Sequence, residues 1–139
     1  MKEIEYTFML NDRDRLSSNM GHNMRTFDTG ATRDKEDGKY DYEAFLSPLA
    51  LERYAKYMHK HRIQPDGTMR DGDNWAKGIP LKAYMKSAWR HMIAWWQIHR
   101  GMKPIDDHGE PIDIEEAICA EIFNAFGYLH EHLKLKEQT

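Results

Sequence analysis

The sequence predicts an all-α fold: a small helical bundle of three main helices with an extended N-terminal arm and long ordered loops. Three observations carry this reading. Three segments repeat apolar residues at helical spacing, their ends coincide with capping or helix-breaking residues, and the stretches between them are polar and rich in Gly, Pro and Asp.

The first helix is expected from about Pro48 to Arg62. Ser47 is a good N-cap, and Pro48 suits the first helical position because its missing N–H would go unused there. Leu51, Tyr54, Ala55 and Met58 form its apolar stripe, and Gln64-Pro65-Asp66-Gly67 stops it. A second helix is expected from Pro80 to Gly101, with Gly101 as the residue after the C-cap. Leu81, Met85, Ala88, Met92, Trp95 and Trp96 give it a wide apolar stripe. Asp113 opens a third helix that continues to about Lys136. Ile114, Ile118, Ile122, Ala125, Phe126, Leu129 and Leu133 are its expected buried face.

Ahead of the helices, Ile4, Tyr6, Phe8 and Leu10 alternate with Glu5, Thr7 and Met9, the period of a short strand or extended arm. The stretch from Asn11 to Tyr40 shows neither period, and such stretches inside compact domains are usually functional or disordered. Residues 1–25 are therefore read as an arm and 26–139 as one helical domain. Three helices make a thin core for a chain with four Trp, so a homo-oligomer, a dimer or larger, is expected.

The chain is 40% hydrophobic and 31% charged, the balance of a globular protein. Cys119 is the only cysteine, which excludes an intrachain disulfide and a Cys-based zinc site. No apolar run approaches the ~20 residues of a membrane span, and residues 1–16 lack a signal-peptide core, so a cytoplasmic protein without a membrane partner is expected. A net charge of −3 with interspersed signs argues against nucleic acid as a partner. It leaves room for small anions, which need only a local cluster of Arg and Lys.

No glycine-rich phosphate loop, His-Glu-x-x-His or nucleophile elbow is present, so any chemistry must be assembled from helix faces and loops. At ~100° per residue, Glu115 projects with Ile122, Phe126 and Leu133. It reads equally as an exposed first-turn acid on the positive helix end or as an inward ligand for a hard divalent cation. Glu116 completes an Asp-x-x-Glu capping box with Asp113. Asn124 borders the apolar face beside Glu121, and a buried amide there binds either a neighbouring helix or a substrate. His91 lies at the edge of the second stripe beside Tyr84, Ser87 and Ile98, either as a hydrogen-bonded core residue or as a catalytic one, and Arg90 points to the opposite side. Arg33, Asp34 and Lys39 sit among Gly30 and Gly38, where backbone N–H groups and a guanidinium could hold a phosphate, or where a solvated loop simply carries charge.

Several elements recur in a characteristic order: Thr29-Gly30-Ala31-x-Arg33-Asp34, Gly38-Lys39-x-Asp41, Leu46-Ser47-Pro48, Asn74-Trp75-x-x-Gly78, Ser87-x-x-Arg90-His91, and Glu115-Glu116 followed by Asn124. This order resembles the bacteriophage family described as the N-terminal domain of dATP/dGTP diphosphohydrolases, related to the MazG-type all-α nucleotide pyrophosphohydrolases. It spans roughly residues 26 to 133. The resemblance implies a phage hydrolase, acting in the host cytoplasm, that converts a purine deoxynucleoside triphosphate (dGTP or dATP) to the monophosphate and pyrophosphate with Mg²⁺ or Mn²⁺. It places Glu115 and Glu116, with Glu52 on the first helix, as metal ligands and His91 as the catalytic residue. Arg33, Asp34, Lys39, Asn74, Arg90 and Asn124 become substrate-binding residues. The Glu-x-x-Glu and Glu-x-x-Asp pairs of MazG-type relatives are not found, and Ala117 stands where many members carry His. The alternative is therefore a non-catalytic nucleotide-binding or protein-interaction protein of the same fold.

Overall fold

The structure, a computed structural model, describes residues 24–139. The alternating segment from Ile4 to Leu10 lies outside the described residues. The chain divides into two compact units, one of residues 24–45 with 135–139 and one of residues 46–134.

The first unit corrects the all-α expectation to a mostly helical protein with a small sheet. Strands β1 (Met24–Thr26) and β2 (Thr32–Asp34) pair antiparallel, with Met24 opposite Asp34, Arg25 opposite Arg33 and Thr26 opposite Thr32. Three-residue strands are too short to display a period of two, which is why the sequence hides them. The turn closes through Gly30 N–H donating to the Phe27 carbonyl and Phe27 N–H donating to that of Ala31, both at 2.8 Å. Two arginines facing each other across a ladder repel. The Arg25 guanidinium turns to Glu36 at 2.7 Å and stacks over Phe27 at 5.0 Å, which offsets that repulsion. The expected domain boundary at residue 25 falls inside β1. A single-turn helix α1 (Tyr42–Phe45) follows, its start capped by Asp41 Oδ1 accepting from Ala44 N–H at 3.0 Å.

In the second unit the three expected helices form within two residues of their expected limits: α2 (Pro48–Lys60), α3 (Leu81–His99) and α4 (Ile114–Gln138). Helix α4 runs on past residue 134, the limit of that unit. Ser47 Oγ accepts from Ala50 N–H at 3.1 Å, the N-cap that the sequence announces. At the other end of α3, Gly101 N–H donates to the Ile98 carbonyl and Met102 N–H to that of Gln97, both at 2.9 Å. That double closure needs a left-handed residue, and Gly101 supplies it at φ 84°. Asp113 Oδ1 caps α4 by accepting from Glu115 N–H at 3.2 Å. A 3₁₀ turn at Asn74–Lys77 lies in the expected loop between α2 and α3.

The buried faces differ from those expected. On α3, Tyr84 and Ala94 are buried and Ser87, Ala88, His91, Trp95 and Ile98 half-buried, so the core side is the one holding His91. On α4 the buried residues are small: Ala117, Cys119, Ala120, Asn124 and Gly127. Ile114, Ile118 and Ile122 are half-buried as expected, whereas Ala125, Phe126, Leu129 and Leu133 are exposed. Apolar residues surround both helices, and a three-helix unit can cover only one side of each. The side it covers is the one where small residues let another helix come close.

Tyr84 fixes that approach. Only 2% exposed, its ring packs against Phe123 with centroids 5.7 Å apart, and it occupies the notch left by the missing side chain of Gly127. A Cβ at Gly127 would fall inside the Tyr84 ring. Gly127→Ala is expected to cost about 1–3 kcal/mol of stability through overpacking, measured by urea unfolding. Adding Tyr84→Leu should remove most of that penalty, and full additivity of the two changes would show that the ring is not what the methyl meets.

Candidate functional site

A clasp of opposite charges joins α2 to the start of α4. Arg53 Nε donates to Glu115 Oε1 at 2.7 Å, and Arg53 Nη2 lies 3.8 Å from both Asp113 Oδ2 and Glu116 Oε1. Two turns along α2, Lys60 Nζ donates to Glu116 Oε1 at 2.8 Å, and His61 Nε2 lies 3.5 Å from Glu116 Oε2. Burial works against the Glu116 charge, but the hydrogen bond and charge of Lys60, with His61 behind them, outweigh it and hold this carboxyl below its ordinary value. Glu116 thus turns Oε1 to α2 rather than closing a capping box, and its Oε2 is buried without a hydrogen-bond partner. Cys119 sits beneath, buried, with Arg53 Nη1 3.9 Å from its sulfur, and burial pushes its thiol up, so it is a packing residue rather than a nucleophile.

The residues expected to hold a divalent cation are Glu52, Glu115 and Glu116. Glu52 is exposed and pairs with Lys56 on its own helix at 3.9 Å. Among the described residues no three His, Cys, Asp or Glu side chains are grouped as a metal site. Asp113, Glu115 and Glu116 instead converge on the guanidinium of Arg53. As arranged, the set does not fit Mg²⁺ or Mn²⁺, because the Arg53 guanidinium lies where an ion shared by these carboxylates would have to sit.

The remaining expected residues are scattered. Arg33, Asp34 and Lys39 come together on the first unit, lining a cavity of about 400 Å³ with Arg25, Thr32 and Glu36. His91 is half-buried on the inner face of α3. Burial first, then the charges of Arg90 and His61, pull its imidazole below the usual histidine value, so it is neutral at pH 7. Arg90 is exposed on the other side of α3. Asn124 is buried and donates from Nδ2 to Ser87 Oγ at 3.3 Å, the interhelical role weighed from sequence, while also lining a cavity with Glu121, Tyr128 and His132.

Asn74 leads to a cleft that the sequence reading passed over. It lines a cavity of about 140 Å³ with Tyr57, His61, Arg62, Arg70 and Trp75. The two arginines are held side by side by a tight hairpin. Arg70 N–H donates to the Arg62 carbonyl at 2.8 Å, Arg62 Nε donates to the Arg70 carbonyl at 2.9 Å, and Ile63 bridges Met69. Asp66 folds the tip by accepting from Thr68 N–H at 2.9 Å and from its hydroxyl at 2.6 Å. Asp71 also lines this cavity, and Lys77 pairs with its Oδ2 at 3.2 Å. Tyr57, whose phenol is pushed up to about 12 by burial first and the Glu116 charge second, stays neutral beside the arginines.

An apolar pocket of about 510 Å³ adjoins this cleft and shares Met58, Gly72, Trp75 and Phe123 with it. Its far wall comprises Leu51, Tyr54, Phe126, Gly127 and His130, and Trp75 meets the His130 ring edge-on at 4.9 Å. The combined cavity is cationic at one end and aromatic at the other, and His61 joins its cationic end to Glu116. Arg62 and Arg70 could have been found from Pro65-Asp66-Gly67, which is hairpin chemistry as much as a helix stop. No family model, curated protein or solved structure matches the chain.

The clasp predicts the sign of a stability change. Carboxylates that merely repelled each other would gain stability on neutralisation, whereas these lose cations. Glu115→Gln and Glu116→Gln should each lower the melting temperature at pH 7 by about 1–4 °C. Because the Glu116 pKa is depressed on folding, its contribution is present above the unfolded carboxylate value near 4.5 and is lost as pH falls through the lower folded value. The gap between wild type and Glu116→Gln in thermal melts should therefore begin to narrow as pH falls below the unfolded value near 4.5 and close below the folded one.

Proposed function

We propose that this chain binds a purine deoxynucleoside triphosphate, with phosphates against Arg62 and Arg70 and the base in the adjoining aromatic pocket. The observation that carries this reading is the juxtaposition itself. Two arginines held together by backbone bonds repel each other without an anion, and paired guanidinium groups bind phosphate oxygens in bidentate fashion. The neighbouring cavity offers Trp75, Tyr54 and Phe123 to a planar ring, and its volume suits a nucleobase with its sugar. Asn74, at the junction, orients the ligand.

The motif order adds hydrolysis to the monophosphate and pyrophosphate, in which water attacks the α-phosphorus and the bond to the β-phosphate oxygen breaks. The motif order gives the role of base to His91, which is neutral at pH 7 but lines neither the cleft nor the pocket. Absence of turnover with retained binding is the non-catalytic alternative. The pairing of Glu115 Oε1 and Glu116 Oε1 with Arg53 and Lys60 favours that alternative, and added Mn²⁺ discriminates between the two.

Calorimetric titration with dGTP and dATP, with and without Mn²⁺, tests the binding. Arg70→Ala, a substitution at an exposed side chain, should weaken it at least about tenfold, the usual effect of losing a hydrogen bond to a charged group. Ion-exchange analysis of the same mixtures should show pyrophosphate and the monophosphate for the hydrolase and intact triphosphate for the binding protein. Heat changes absent with both nucleotides, or unaffected by Arg70→Ala, would overturn the site.

A further inference from the structure

Helix α3 carries a second apolar stripe on the side away from its core face. Met85, Trp89, Met92, Ile93 and Trp96 follow one another at helical spacing and are 40–64% exposed, Trp89 the most. Ala88, Met92 and Glu121 join Met85 and Trp89 around one shallow cavity, and Ala125 and Leu129 of α4 continue the same surface around the next. The apolar surface is thus continuous across two helices. With an aromatic side chain offering ~150–250 Å², the stripe and Leu129 together expose on the order of 600 Å². That reaches the top of the range for the largest apolar patch on a monomer and approaches the ~800 Å² per partner of a stable interface.

We propose that this stripe is the contact surface for a second copy of the chain, packed across a two-fold axis. A surface facing its own copy must be complementary to itself, and the charges here meet that requirement. Helical spacing puts Lys86 and Arg90 along one edge of the stripe, with no ion pair among the described residues. Glu121 borders the opposite edge, with one carboxylate oxygen buried and unpartnered, and burial raises its pKa. Parallel apposition, with the two-fold axis running along α3, brings the basic edge of one copy to the acidic edge of the other at the level of Glu121. The apolar centre excludes water from the pair, and Trp89 lies at the centre of the stripe, where interface energy concentrates.

Sedimentation velocity and light scattering on the full chain between 1 and 100 µM test this. The wild-type mass is expected to reach twice 16.5 kDa within that range. Trp89→Glu should raise the dissociation constant by about thirtyfold or more, with helicity unchanged because the side chain is mostly exposed. Lys86→Glu with Arg90→Glu should raise it about tenfold in low salt by setting like charges against Glu121. A monomer throughout the range overturns the proposal, whatever else covers the stripe. A dimer unaffected by both variants overturns it as well, since association would then use another surface. Nucleotide titration of the monomeric variant separates this outcome from that of the proposed function, because the arginine cleft lies wholly on residues 57–123 of one copy.

Discussion

The clasp between α2 and the first turn of α4 is the constraint on which the site depends. Arg53 and Lys60 lie seven residues apart, two helical turns, so their head groups meet Glu115 and Glu116 from one face of α2. That pairing fixes where α2 ends, and the end of α2 is where His61 and Arg62 leave the helix. Single exposed ion pairs contribute little. This network joins two basic side chains, a histidine and three carboxylates, with Glu116 partly buried at its centre. Its value is positional. The hairpin that presents Arg62 and Arg70 is anchored to the helix that the clasp holds.

Helix α4 packs through small residues, and that choice shapes everything around it. Ala117, Ala120, Asn124 and Gly127 recur every three or four positions and let Tyr84 sink in. The larger side chains of α4 are thereby turned outward, Phe126 to the aromatic pocket and Leu129 to the surface shared with Met85. A seam of large residues would have made a thicker core with flatter sides. Close packing along one line leaves grooves on both flanks, and both candidate surfaces of the second unit are such grooves.

Much of this fold was legible in the sequence because it depends on local rules. Ser47, Pro48, Gly101 and Asp113 mark helix ends by backbone chemistry that any neighbour leaves unchanged, and the helices form there. The strands at Thr26 and Thr32 were not legible, since three residues carry no period. The buried side of α4 was not legible either. Phe126 and Leu129 outrank Ala117 and Gly127 on any apolar scale, and only the position of Tyr84 decides that the small residues face inward. Of the residues that the resemblance singled out, Asn74 lines the arginine cleft, whereas His91 lies on the inner face of α3. The fate of Glu116 was decided by Lys60, 56 residues away in sequence. Arg62 and Arg70 needed a hairpin that was read only as a stop.

The four tryptophans divide between these surfaces. Trp75 lies half-buried in the arginine cleft, Trp95 half-buried on the core side of α3, and Trp89 and Trp96 stand exposed on its outer stripe. Indole emission shifts to the blue as its surroundings lose water and is quenched by a stacked base or a nearby histidine. The chain therefore carries its own optical reporters. Occupation of the cleft dims the signal from one ring without changing its partners on the stripe, while covering the stripe shifts the red edge of the spectrum and leaves the cleft untouched.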